Sequence, residues 1–94
     1  MKKIDFRKIH VTQIDGTIKD LDMTQHTAGE LSVLQQFANY IYNKTQDIGE
    51  LEFARKLYKA EEVELSDVEI ETLRKYAAEY FKAFVNEAII NLIK

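Results

Sequence analysis

The chain has 94 residues, of which 46% are hydrophobic and 31% charged, with no cysteine and a formal net charge of −3. That balance describes a folded domain with a modest core; it excludes a disordered chain, a disulfide framework, and any nucleophile or metal site built on thiolates. The mild acidity argues against a dedicated electrostatic nucleic-acid binder without naming a partner.

Ile4 and Phe6, then Ile9 and Val11, alternate as half-buried strands do, with a slip of phase at Arg7-Lys8 that a β-bulge or bend would produce. Asp15-Gly16 predicts a hairpin with a type I′ turn, flanked by Ile14 and Thr17, with Ile18 to Leu21 returning antiparallel. Residues 1–23 therefore read as one N-terminal β-hairpin, marginal alone and in need of helices or a second copy to cover it.

Thr27-Ala28-Gly29-Glu30 has the form of a capping box and predicts a helix over 27–44, with Leu31, Leu34, Phe37, Ala38 and Ile41 on its apolar stripe. Asp47-Ile48-Gly49-Glu50 repeats the arrangement and predicts a second helix over 47–60 through Leu51, Ala54, Leu57 and Tyr58. Glu61 to Glu64 reads as a polar connection around Val63.

Ser66-Asp67-Val68-Glu69 is a third capping box, and it predicts one long helix over 66–93, roughly 40 Å in length. Leu73, Ala77, Phe84 and Ala88 form its core stripe, whereas Ile89 and Ile93 project onto the side that carries Lys82 and Asn86. Either the helix stops near Ala88 and folds back, or Ile89, Ile90 and Ile93, with Val85, pack against another chain or another part of the fold. The two shorter helices are too short to cover the third, a second reason to expect a homo-oligomer or protein partner. The fold class is α+β and mainly helical, a single domain over 1–94.

No catalytic motif stands out. His10 and His26 are the only imidazoles; with Asp20 or Asp22 they would make a two-His, one-carboxylate site, but their spacing requires none, and no metal or cofactor is assigned. Glu61, Glu62, Glu64, Asp67, Glu69 and Glu71 match helix-start preferences better than a cation site. Lys2, Lys3, Arg7 and Lys8, with Phe6 among them, offer a small nucleic-acid surface, set against Asp5, Asp15, Asp20 and Asp22 in the same segment. Ser32 and Ser66 fit helix and cap roles, and neither lies in a G-x-S-x-G setting. Phe84 to Ile93 is too short to span a bilayer, and the charges after Met1-Lys2-Lys3 break any signal-peptide core. A soluble, cytoplasmic, non-enzymatic protein is expected.

The stretch Asn43 to Ile70, with Val63-Glu64-Leu65-Ser66-Asp67-Val68-Glu69 ahead of a final helix, resembles small uncharacterised proteins of bacterial phage and prophage clusters. The resemblance implies an accessory or assembly factor acting through protein contacts, and it carries over no catalytic residue. Self-association through the last helix is the leading expectation, and a regulatory or accessory subunit contacting nucleic acid through the basic hairpin is the alternative.

Overall fold

Apolar alternation fills the first dozen residues, and the chain divides it between two sheets. In a computed structural model describing residues 2–26, 29–60 and 62–93, the elements are β1 (Lys2–Asp5), β2 (Ile9–Thr12), β3 (Ile18–Leu21), α1 (Val33–Lys44), α2 (Ile48–Lys59), β4 (Glu62–Leu65), α3 (Asp67–Tyr80) and α4 (Ala83–Leu92). The architecture is α+β, with helices predominating over two antiparallel strand pairs.

The single hairpin expected over 1–23 is corrected. β1 pairs with β4 (Ile4↔Val63, Lys2↔Leu65), and only β2 and β3 form a hairpin (Ile9↔Leu21, Thr12↔Ile18). The phase slip is a turn: the Asp5 carboxylate accepts from the Arg7 amide at 2.9 Å and the Asp5 carbonyl from the Lys8 amide at 3.2 Å, so the chain leaves one sheet and enters the other. Ile4, Phe6, Ile9 and Val11 are all buried as their alternation demands.

The β2–β3 turn is also of another type. Gly16 has φ 88° while no other type of residue takes positive φ among the described residues, and the Gly16 amide donates to the Gln13 carbonyl at 3.0 Å. That is a type I turn closed by a left-handed glycine, the common three-residue hairpin loop, instead of type I′. Asp15 accepts from the Thr17 amide and hydroxyl at 3.0 and 2.7 Å, which holds the loop shut.

α1 starts later than the predicted residue 27. Thr27 and Ala28 lie outside the described residues, Gly29 is left-handed at φ 77°, and Ser32 is the N-cap, exchanging bonds with Gln35 at 3.1 and 3.2 Å. A left-handed residue terminates any helix passing through it, so the box with a free run behind it prevails. Asp47 caps α2 as expected, accepting from the Gly49 amide at 3.3 Å.

The long final helix is two helices. Ser66 and Glu69 form the expected box (3.3 and 3.0 Å), but α3 ends at Tyr80, and Phe81 and Lys82 are extended (ψ 152° and 158°) before α4 begins. Neither glycine nor proline causes the break. A straight helix would carry Ile89 and Ile93 away from the side of Leu73 and Ala77; a bend returns all four to one core, where all are buried. The extended link also releases Phe81 to pack on Phe37 and Tyr80, ring centroids 4.8 and 5.0 Å away. α4 then lies on β2, and the length mismatch that had called for a second copy disappears.

Candidate functional site

The C-terminal isoleucines were the expected contact surface, and the packing of α4 on β2 decides where they go. Ile89 and Ile93 are 1% and 4% exposed, inside the chain's own core; Val85 is half-buried against it, and Ile90 is half-buried. Ile89 and Ile93 are thus not left facing solvent for a partner to cover. What remains apolar and open is the start of the same helix and the tip of the hairpin near it. Phe84 is 51% exposed, Ile18 is 68% exposed, and Ile14 is fully exposed on the turn. Ile14 and Phe84 line one hollow of about 400 Å³ with Thr12, Gln13 and Glu87, and Ile18 stands opposite Thr12 in the strand register.

The local reason is plain. The tight turn at Gly16 leaves no inward direction for Ile14, and the helix break puts Phe84 in the first turn of α4, ahead of the residues that reach the core. Asn86, on the same helix, keeps its side-chain Oδ1 buried with no hydrogen-bond partner among the described residues, a cost of about 1–3 kcal/mol.

The basic N-terminal residues are drawn into the β1–β4 pair. Lys3 meets Glu62 at 2.6 Å across the sheet, and Arg7 meets Asp5 at 2.9 Å and Glu62 at 3.6 Å. The hydrogen bond that Lys3 donates to Glu62 raises its affinity for its proton, and the hydrogen bonds donated by Arg7 lower that of Asp5. Lys8 bonds the Asp5 carbonyl through its amide, and Lys2 stands opposite Leu65 in the register. Glu69 is pushed up by burial, but the Ser66 amide and Lys56, 3.2 Å away, outweigh that and leave it lowered. Glu61, the first residue of the acidic run, lies outside the described residues.

The two imidazoles go separate ways. His10 Nδ1 is 2.7 Å from Asp20 Oδ1 across the hairpin, and His26 Nδ1 is 3.3 Å from the Glu30 carbonyl. No group of three or more His, Cys, Asp or Glu side chains is placed to hold a metal among the described residues.

One polar cluster was invisible in the sequence. Glu50, which reads as the reciprocal partner of the Asp47 cap, turns instead toward α3: its Oε1 accepts from the Tyr76 hydroxyl at 2.6 Å and from the Thr45 hydroxyl at 2.7 Å, and Lys75 stands 3.5 Å from Oε2. The Tyr76 and Thr45 hydroxyls hold the carboxyl below its ordinary range, while burial and the adjacent carboxylate push the Tyr76 phenol up. Nearby, Lys44 bridges Tyr40 at 2.8 Å and Glu79 at 3.3 Å. Every acceptor has its donor, so the cluster ties the α1–α2 corner to α3.

No helix among the described residues is long and apolar enough to cross a membrane. No family model matches the chain, and neither do any curated proteins or solved structures.

Proposed function

We propose that this chain is a non-enzymatic interaction module that self-associates through the apolar patch formed by the hairpin tip and the first turn of α4. The observation that carries the reading is the fully exposed Ile14 facing the same hollow as the half-exposed Phe84. Apolar side chains standing in water lose about 25 cal/mol for every Å² a partner would cover, and clustered ones mark contact surfaces where scattered ones do not. A β-branched residue at a turn tip satisfies no need of the turn itself, since Gly16 and Asp15 supply its geometry. The accessory or assembly role implied by the phage-type resemblance, in a cytoplasmic setting, belongs to the same reading.

The nucleic-acid alternative is weakened by the acidic partners of Lys3 and Arg7, because a phosphate would have to displace carboxylates already in place. Light scattering across a concentration series tests the proposal. A mass that rises above the monomer, and returns to it in the Ile14→Ser/Phe84→Ser double variant, is expected; a strict monomer at high concentration rejects it.

A further inference from the structure

A second surface feature lies on the α1–α2 pair, away from the patch. Ala38 on α1 and Ala54 on α2 are both buried and leave the seam between the helices shallow. One helical turn beyond each stands a tyrosine, Tyr42 and Tyr58, 44% and 37% exposed. The alanines and the two rings enclose a hollow of about 350 Å³ whose lining is mainly apolar. Its rim on α2 is cationic: Arg55 and Lys59 are one turn apart.

The two cations are not equivalent. Arg55 is engaged by Glu52 at 2.6 Å, with its guanidinium carbon 5.7 Å from the centre of the Tyr42 ring. Lys59 has no ion pair among the described residues, and with Tyr58 it also walls the neighbouring hollow toward Thr24 and Gln35. An ammonium without an ion pair among the described residues, beside two partly exposed tyrosines, is complementary to an anion joined to a flat apolar body.

We propose that this groove binds a small organic anion, a planar apolar body carrying one carboxylate or sulfonate, with the rings of Tyr42 and Tyr58 against the body and Lys59 on the anion. The volume lies at the lower end of small-molecule sites, about 300–1,000 Å³. The site shares no residue with the self-association patch, so each idea stands or fails alone.

The test uses 8-anilinonaphthalene-1-sulfonate and its uncharged relative N-phenyl-1-naphthylamine, titrated into the full chain and followed by amide chemical shifts. A dispersed spectrum throughout shows that the probe meets the folded protein. The expected result is saturable binding of the sulfonate with shifts centred on Ala38, Tyr42, Ala54 and Tyr58. Lys59→Gln should weaken the sulfonate about tenfold, as loss of one charge-assisted contact does, and leave the uncharged probe unaffected. Tyr58→Ser, at an exposed position, should weaken both probes, and Ile14→Ser/Phe84→Ser neither. No saturable binding, shifts centred on Ile14 and Phe84, or equal sulfonate affinity in Lys59→Gln would each overturn the proposal.

Discussion

Glu50 shows how a single side chain is reassigned by its surroundings. Next to Asp47 it has the position of a reciprocal cap, yet the Tyr76 hydroxyl at 2.6 Å is a better partner than a cap amide in water, because a donor in a partly desolvated site meets less competition from solvent. The sign of the pH response follows. A carboxyl held below its ordinary value of 4.5 stabilises the fold fully above that value, and the contribution is lost as pH falls through the lower value of the folded state. The Tyr76 phenol, raised by burial and by Glu50, acts in the opposite range: its contribution is complete below the ordinary value of 10.0 and is lost as pH rises through the folded value. Tyr76→Phe should therefore cost about 1.5–3 kcal/mol at neutral pH. It should also flatten the acid and alkaline limbs of the stability curve, measured by urea denaturation between pH 3 and 11. An unchanged curve would show that the hydroxyl is not the partner that matters.

α3 and α4 illustrate the same lesson one level up. The apolar stripe of a helix must meet one core, and the residues after Ala88 fall out of phase with those before it, so the chain bends between Tyr80 and Ala83 to bring both sets inward. Bending places two apolar residues of α4 in opposite situations. Ile89 is sealed in the core, and Ile89→Ala should cost about 2–5 kcal/mol of stability. Phe84 faces water, and Phe84→Ser should change monomer stability by only about 0.5 kcal/mol. Thermal or urea unfolding of the two variants at low concentration separates them. Equal losses would mean that α4 does not sit on β2 as described. The β1–β4 pair belongs to this scale too: Val63 and Leu65 alternate inward, but with only four residues and flanking glutamates the strand has no helical or turn signal of its own to announce it.

The whole molecule has a radius of gyration of 12.9 Å, close to the roughly 12 Å of a compact domain this long. Its helices and strand pairs cover one another without a second copy. The proposed self-association would therefore rest on the remaining patch and not on a requirement of folding, so that a complex would be separable from the fold. An apolar contact of this kind should be indifferent to salt, or strengthened by sulfate, whereas binding through Lys2, Lys3, Arg7 and Lys8 to phosphates would weaken steeply. Light scattering between 50 mM and 500 mM sodium chloride distinguishes them, and dissociation at high salt would point to charge as the source of the contact.

What the sequence determined by itself lies mostly within one turn of chain. The caps at Asp47 and Ser66, the Asp15-Gly16 hairpin, the inward stripes of Leu34, Phe37, Ala38 and Ile41 and of Ala54 and Leu57, though not Leu31, Tyr58 or Phe84, and the inward alternation of Ile4, Phe6, Ile9 and Val11 each depend on neighbours a few residues away, where propensity and hydrogen-bond geometry act directly. Tertiary structure alone decided the pairing of β1 with β4, the break after Tyr80, the turn of Glu50 toward Tyr76, and which apolar residues stay outside. Those outcomes join residues far apart in the chain, so they are set by which surfaces the core can cover at once. No local pattern encodes that competition, and Ile89 and Phe84, neighbours on one helix, end on opposite sides of it.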